Sequence, residues 1–183
     1  EHATKHLLYA RFMTKVLADA GYLEFDEPFS SLRHQGLIMG LDCQKMSKSR
    51  GNVVDPDEVV KKYGADSVRM HLCFMGPYDQ GGTWNPKAIV GVSRFLNRAW
   101  KLINNSKFKY QKSKLHLEIQ NLDKVFSKTI KKIGEDIENL RFNTAVSELM
   151  KLLNIIEAEQ LSKKQLETFL KFTLLARQPL RAK

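Results

Sequence analysis

The sequence predicts an α/β segment followed by an all-α segment. The first is indicated by a helical pattern that leads into a short apolar run bounded by glycine, residues 35–40, as expected of a sheet strand. The second is indicated by apolar residues that recur at three- and four-residue steps after residue 84. A Gly-rich connector at 78–84 lies between them, so we predict two domains, 1–77 and 78–183.

The first domain is predicted to open with an amphipathic helix that Gly21 ends as a C-terminal cap. A loop at 22–33 follows, and the run from Gln35 to Gly40 is predicted to be a buried strand. A polar, basic loop, 41–52, leads out of that strand. The apolar stripe of the opening helix consists of Leu8, Tyr9, Phe12, Met13, Val16, Leu17 and Ala20.

Two more helices are predicted before the connector. Asp55 suits the N-cap of the first, Pro56 its first position, and Gly64 its end. The second stops at Gly76 and Pro77, and its apolar face is formed by Val68, Leu72 and Met75.

The second domain is predicted to be a bundle of four antiparallel helices, because amphipathic helices with short connections pack in that way. The first helix starts at Asn85 and Pro86, and a basic connector occupies 104–116. Ser162 and Gln165 form a capping box for the last helix. The apolar stripes of the first three helices are Ile89, Val92, Leu96, Ala99 and Ile103; Leu122, Phe126, Ile130, Ile133 and Ile137; and Val146, Leu149, Leu153 and Ile156.

Composition and charge narrow the class of protein. No run of about 18 apolar residues exists, so no membrane span is predicted. Cys43 and Cys73 show neither a disulfide framework nor a metal spacing, which favours reduced thiols in a cytoplasmic protein. The net charge is +10, and residues 101–183 carry 17 Lys and Arg against 9 Asp and Glu. That excess indicates either a polyanionic partner or a solvated lysine-rich surface.

The loop at 45–49 (KMSKS) carries the chemistry. Lys45 and Lys48 place two ammonium groups three residues apart, beside the hydroxyls of Ser47 and Ser49. Cations and neutral donors in this arrangement suit a triphosphate, and they stabilise the charge that grows on a departing pyrophosphate. Gly51 supplies backbone freedom for a loop that closes on its substrate. The alternative is a solvated basic loop.

The surroundings of the loop resemble the class I aminoacyl-tRNA synthetases, whose second signature is Lys-Met-Ser-Lys-Ser. Residues 45–56 (KMSKSRGNVVDP) and 62–69 (KYGADSVR) are similar to the leucine, isoleucine and valine branch. Residues 1–12 (EHATKHLLYARF), 91–98 (GVSRFLNR) and 141–145 (RFNTA) resemble the leucyl-tRNA synthetases of the bacterial or organellar type. The resemblance is collinear over nearly the whole chain.

This resemblance implies a fold and an activity. The fold would be the C-terminal part of a Rossmann-type catalytic domain with the KMSKS loop, followed by a bundle of the anticodon-binding type. The reaction would be ATP-dependent activation of leucine and transfer of the leucyl group to tRNA(Leu), with Mg²⁺ accompanying ATP. Lys45 and Lys48 would be catalytic, with Lys48 the stronger candidate. The ATP-binding residues would be Glu1, His2, Gln35, Gly36, Ile38, Met39, Lys45, Met46, Ser47, Lys48 and Ser49.

Other residues are assigned by type. His2 and His6 lie four residues apart, but no third ligand is evident, so no metal site is predicted. Trp84 and Trp100 are predicted to pack the domain junction and the bundle core. The candidates for contact with tRNA phosphates are Arg94, Arg98, Lys101, Lys107, Lys109 and Lys112, each of which could equally be a solubilising charge.

The chain departs from the family pattern in two places. Cys43 stands where the family usually has Gly, which is expected to tighten the turn, and the tail after Ala176 looks truncated or replaced. The first signature (His-Ile-Gly-His), the amino-acid pocket and the editing domain are absent. We therefore expect this chain to need the N-terminal catalytic half as a partner and to be inactive alone. A synthetase for valine, isoleucine or methionine, and a non-catalytic tRNA-binding module, remain alternatives.

Overall fold

The computed structural model describes residues 2–105, 116–157, 161 and 163–177 of this protein. Most of these residues are helical, and a small parallel sheet accompanies the helices. The chain divides into two compact units, 1–34 and 35–183. The predicted boundary at 77/78 does not coincide with this division, and the functional domains it was meant to separate remain a prediction.

The first unit consists of a helix and the loop that folds back along it. A π-helical turn, His2–Leu7, leads into α1, Leu8–Asp19. Gly21 has φ +76° and donates its N–H to the carbonyl of Ala18, while Tyr22 donates to Leu17. These two bonds form a Schellman motif, so the predicted C-terminal cap is confirmed. The apolar stripe of α1 is exposed.

The sheet in the second unit has two parallel strands, β1 at Leu37–Met39 and β2 at Gly81–Thr83. The prediction of a buried strand was wrong about burial, because Leu37 is 54% exposed and Ile38 is 36% exposed. The prediction of an irregular connector at 78–84 was wrong as well, since it contains β2. Gly-Gly-Thr shows no apolar alternation. The pairing requires glycine at position 81, because a Cβ there would lie 2.1 Å from the Leu37 carbonyl oxygen.

Helices make up most of the rest of the second unit, and its core lies between them. They are α2, Pro56–Tyr63; α3, Ala65–Phe74; α4, Ala88–Asn105; α5, His116–Glu138; α6, Phe142–Ile156; and α7, Lys163–Arg177. Asp55 caps α2 by accepting the Asp57 N–H at 2.9 Å, as predicted. Asn85 accepts the Lys87 N–H at 2.9 Å, and α4 starts at Ala88. Ser162, one half of the predicted capping box, lies outside the described residues.

One hydrophobic core joins α3 to the later helices. Met70 of α3 is buried in the same cluster as Phe95, Phe126, Leu149 and Phe169. Helix α6 packs on α5, α3 and α7, while α3 also packs on α2 and α4. This packing explains why residues 35–77 belong to the same compact unit as the helices that follow. The antiparallel order of the bundle remains a prediction.

The two tryptophans occupy opposite environments. Trp84 is buried and lies edge-on to His71, with ring centroids 5.1 Å apart. His71 is buried too, neither ring nitrogen has a hydrogen-bond partner among the described residues, and burial lowers the pKa of its imidazole. Trp100 is 65% exposed, so its predicted place in the bundle core was wrong. Its neighbour Ala99 faces the core instead, and the one-residue step turns Trp100 toward the edge of that face.

None of the helices within the described ranges is long and apolar enough to cross a bilayer.

Candidate functional site

The basic loop, 41–52, directly follows the end of β1. Gly36 donates its N–H to the Tyr78 carbonyl at 2.7 Å, and Trp84 donates to the Met39 carbonyl at 2.9 Å. A Cβ on Gly36 would lie 2.0 Å from the Gly81 nitrogen, so this approach requires glycine. The strand that carries the loop is therefore tied to β2 at both of its ends.

A tight turn reverses the chain directly after β1. The Gly40 N–H donates to the Gln44 carbonyl at 2.8 Å, and the Cys43 N–H donates to the Gly40 carbonyl at 3.0 Å. Lys45 pairs with Met39 in an antiparallel bridge. Cys43 has φ +56°, the left-handed region that favours glycine. Cys43 therefore occupies a backbone conformation that glycine would adopt without strain.

The four charged or hydroxyl-bearing residues of the motif lie together in this loop. Lys45 and Lys48 are exposed, and Lys48 begins a single 3₁₀ turn, Lys48–Arg50, which Gly51 closes at φ +68°. The Ser47 and Ser49 hydroxyl oxygens are 2.8 Å apart. Within the described residues, neither lysine ammonium group has an ion-pair partner. Two free cations beside two hydroxyls can bind a polyphosphate.

The base of the loop is held by two residues that the motif analysis did not single out, Asp42 and Asn52. Asn52 donates its amide N–H groups to both carboxylate oxygens of Asp42, at 3.0 and 3.1 Å. It also accepts the Ser47 N–H at 2.8 Å. The Gln44 N–H, followed by the Asn52 amide, holds the pKa of Asp42 below its ordinary value. An Asp whose side chain accepts the backbone N–H two residues later is a turn signal, but no sequence signal pairs residue 42 with residue 52.

The other residues predicted to bind ATP are only partly brought to this site. Gln35, Gly36, Ile38 and Met39 lie on or beside β1, but the Gly36 N–H and the Met39 carbonyl are already engaged in the sheet. Met46 is half-buried within the loop. Glu1 lies outside the described residues. His2 begins the π-helical turn of the other unit.

The predicted tRNA contacts fall into three classes. Arg94 and Lys101 are exposed and lie two turns apart on α4. Arg98 is engaged, because its guanidinium forms a bidentate salt bridge with Glu157 and donates to Asn154 at 2.7 Å. The pairing with Glu157 raises the pKa of Arg98. Lys107, Lys109 and Lys112 lie outside the described residues. Arg94 and Lys101 are thus the described candidates whose charge is available.

Comparison with known proteins identifies relatives of both halves. Residues 9–84 match the family described as tRNA synthetases class I (I, L, M and V). The structure is similar to that of the agnB2 LeuRS of Agrobacterium radiobacter K84, solved as a ternary complex with tRNA and LeuAMS. The TM-score is 0.77, the identity is 33%, and the match covers 96% of this chain and 24% of that one.

Two structures of the methionyl-tRNA synthetase of Mycobacterium tuberculosis, both with methionyl-adenylate, share the fold. Their identities are 19% and 18%, and their TM-scores are 0.53 and 0.56. They are matched over 76% and 87% of this chain, which correspond to 32% and 35% of theirs. The chain thus spans about a quarter of the leucyl relative (24%) and about a third of the methionyl ones.

Proposed function

Because the chain belongs to the class I tRNA synthetases of the I, L, M and V group, as a segment of the leucyl-tRNA synthetase type, we propose that it contributes to a leucine–tRNA ligase. The observation that carries the proposal is the pair of exposed lysines in the loop after β1, Lys45 and Lys48, which have no ion-pair partner in the part of the chain that the structure describes. The leucine specificity is supported by the similarity to the LeuRS structure. The reaction joins leucine to ATP as leucyl-adenylate and then transfers the leucyl group to the 3′ end of tRNA(Leu).

The loop acts in the first step. The leucine carboxylate attacks the α-phosphorus of ATP, the bond between the α-phosphorus and the bridging oxygen breaks, and pyrophosphate leaves with that oxygen. Negative charge grows on the leaving group, so the ammonium groups of Lys45 and Lys48 bind the transition state more strongly than ATP itself. The hydroxyls of Ser47 and Ser49 donate neutral hydrogen bonds to the same phosphates.

The remaining ATP contacts follow from the position of β1. The Gly36 N–H and the Met39 carbonyl are already hydrogen-bonded to Tyr78 and Trp84, whereas Ile38 keeps part of its apolar side chain exposed. We assign β1 the role of an apolar surface beside the nucleotide. Glu1, His2 and Gln35 complete the proposed ATP-binding set.

Magnesium fits this site as a companion of ATP. The motif offers ammonium groups and hydroxyls, which suit phosphate oxygens, whereas Mg²⁺ prefers carboxylates, water and phosphate oxygens. The carboxylate at the base of the loop, Asp42, is already bound by Asn52 and by the Gln44 N–H. The ion would therefore be held by the ATP phosphates, where it shields their charge.

An exposed apolar face on the first unit supports the proposal that this chain needs the rest of the synthetase. Its helix α1 exposes large apolar side chains, among them Tyr9, Phe12 and Met13. A continuous exposed apolar face indicates an interaction surface. We propose that the N-terminal catalytic half covers this face and supplies the amino-acid pocket, in the cytoplasm. The tRNA is proposed to bind the basic helical part, with Arg94 and Lys101 on phosphates.

The test is complementation by the N-terminal half of a leucyl-tRNA synthetase. Leucine-dependent ATP–pyrophosphate exchange is expected only when both parts are present, and the isolated chain is expected to have none. Lys48→Ala should lower the exchange rate by roughly 10²–10³-fold, the cost of one donor aimed at developing charge. Lys61→Ala, which removes an exposed lysine of α2, is the matched control and should leave the rate unchanged.

The outcomes separate the alternatives. Exchange restored by the N-terminal half of a valyl-, isoleucyl- or methionyl-tRNA synthetase, but not by that of a leucyl-tRNA synthetase, would retain the enzyme class and contradict the specificity. Binding of tRNA without any restored exchange would favour a non-catalytic tRNA-binding module. Exchange that is indifferent to Lys48→Ala would contradict the role of the loop.

A further inference from the structure

One side-chain amide connects both halves of the basic loop. The Asn52 oxygen accepts the Ser47 N–H at 2.8 Å, and its nitrogen donates to the Lys45 carbonyl at 3.3 Å. The same nitrogen reaches both carboxylate oxygens of Asp42, at 3.0 and 3.1 Å. An asparagine amide has two donors and one acceptor, so all of its polar groups are used.

Asp42 anchors this amide to the end of β1. Its carboxylate accepts the Gln44 N–H at 3.1 Å, within the turn that Gly40 and Gln44 close. A Cβ on Gly40 would lie 2.7 Å from the Asp42 oxygen and 3.0 Å from the Asn52 nitrogen. A side chain at position 40 would therefore push the Asp42 carboxylate and the Asn52 amide apart. The hydrogen bonds of Asp42 connect the end of β1, the turn and the basic loop.

The contact with Ser47 extends to the catalytic lysine. Ser47 is extended, with φ −149° and ψ 138°, and its carbonyl accepts the Arg50 N–H at 3.1 Å to start the 3₁₀ turn. Lys48 is the first residue of that turn, and the Ser49 hydroxyl lies 2.8 Å from that of Ser47. The position of the Ser47 backbone therefore determines the position of the Lys48 backbone and of the two serine hydroxyls.

We propose that Asp42 and Asn52 form a clasp that sets the backbone of Lys45 and Ser47, which makes Asn52 a positioning residue for adenylate formation. This inference rests on the proposed function of the loop. Asn52 acts through the lysines and does not contact ATP. Misplacing catalytic groups by about 1 Å costs on the order of 10²-fold in rate. Loss of the clasp should thus lower kcat by roughly 10- to 100-fold and change the KM for ATP far less.

The clasp can be tested by exchanging the side chains of Asp42 and Asn52. Asn52→Asp keeps an acceptor for the Ser47 N–H but sets a second carboxylate against Asp42, and Asp42→Asn removes the charge that the amide of Asn52 binds. The double variant Asp42→Asn/Asn52→Asp restores one donor facing one acceptor, while the Ser47 N–H keeps its partner. Rescue by the exchange would show that the two side chains act as a pair. The separate effects on kcat and on the KM for ATP then report whether the pair positions the lysines.

The first measurement uses the chain itself. Limited trypsin digestion after Lys45, Lys48 and Arg50 reports the order of the loop, and cleavage after Lys61 serves as the internal reference. We expect each single variant to be cleaved about tenfold faster at the loop and the double variant to return to within about twofold of wild type, as a restored pair would. Single variants that are cleaved like the wild type, or a double variant as sensitive as the singles, would overturn the clasp.

The second measurement is pyrophosphate exchange in the complemented protein, with kcat and the KM for ATP determined separately. We expect the kcat of the single variants to fall and that of the double variant to recover. Exchange that depends on Lys48 but not on Asn52 would overturn the positioning role and leave the proposed function intact. A wild-type protein without exchange would overturn the proposed function, and with it the positioning role, even if trypsin showed an intact clasp.

Discussion

At the scale of single residues, charge pairing decides which side chains are available. Arg94 and Arg98 lie on the same helix and both are exposed, but Arg98 is paired with Glu157 whereas Arg94 has no ion-pair partner among the described residues. In the first unit, Glu27 receives two hydrogen bonds from Arg11, at 2.6 and 2.8 Å, and lies 3.0 Å from the Lys15 nitrogen. Its partners, first Arg11 and then Lys15, lower the pKa of Glu27 to about 2.

The Glu27 pair makes a prediction for acid. Because its folded pKa lies below the ordinary 4.5, the contact is fully present above pH 4.5 and is lost as the pH falls through about 2. Arg11→Met should raise the pKa of Glu27 toward 4.5, which carbon NMR of the Glu27 carboxyl group measures. Arg33→Met, a change at another exposed arginine of this unit, should leave that titration where it is. An unshifted titration in Arg11→Met would contradict the pairing.

At the scale of elements, the turn between α5 and α6 combines strain with a buried charge. Leu140 has φ +57°, and the Arg141 N–H donates to the Asp136 carbonyl at 2.7 Å, which completes a Schellman motif without glycine. Asp136 is fully buried and lies 2.6 Å from the Lys132 nitrogen and 3.1 Å from that of Arg141. The carboxylate therefore pairs with Lys132 of its own helix and connects the end of α5 to Arg141, the residue before α6.

Asp136→Asn should destabilise the helical unit by about 1–3 kcal/mol, since it leaves both cations without their charged partner. Burial alone would raise the pKa of Asp136, but hydrogen bonds from Lys132 and Thr144, together with the charges of Lys132 and Arg141, outweigh it and hold the pKa below the ordinary 3.8. The stabilisation is thus present above pH 3.8 and is lost as the pH falls below that value. Urea unfolding at pH 7 and pH 3 measures both effects.

The neighbouring carboxylate provides the control for this experiment. Glu135 is exposed and lies 4.0 Å from the Lys131 nitrogen, so Glu135→Gln should change the free energy of unfolding by less than about 1 kcal/mol. A wild-type unfolding curve for Asp136→Asn at pH 7 would contradict the stabilising role of the buried charge.

At the scale of the whole molecule, the excess positive charge lies in the second half. The helical part carries 17 Lys and Arg against 9 Asp and Glu after residue 100, while several of its cations are paired internally. The net charge therefore overstates the number of cations that can bind phosphate groups of tRNA. Among the residues predicted to contact tRNA, Arg94 and Lys101 on the exposed face of α4 are those that the described structure leaves available.

This distribution predicts the salt dependence of tRNA binding. Each phosphate contact contributes about 0.9 to the slope of log K against log salt in duplex nucleic acid. Arg94→Ala and Lys101→Ala should each reduce the slope by up to that amount, as fluorescence titrations at several salt concentrations would show. Lys131→Ala on α5 is the control for loss of one exposed charge. Arg98→Ala should lower stability more than slope, and unchanged slopes for Arg94→Ala and Lys101→Ala would contradict their assignment.

The sequence by itself determined the local structure and the family. The apolar stripes of α4 to α6, the Asp55 cap and the Gly21 cap follow from side chains and backbone within a few residues, so their patterns were sufficient. The tertiary structure alone decided what depends on distant residues. It paired Gly81 with Leu37, turned Trp100 outward, neutralised Arg98 with Glu157 and brought Asn52 back to Asp42. Contacts between residues far apart in sequence have no periodic signature, because they depend on how complete elements pack.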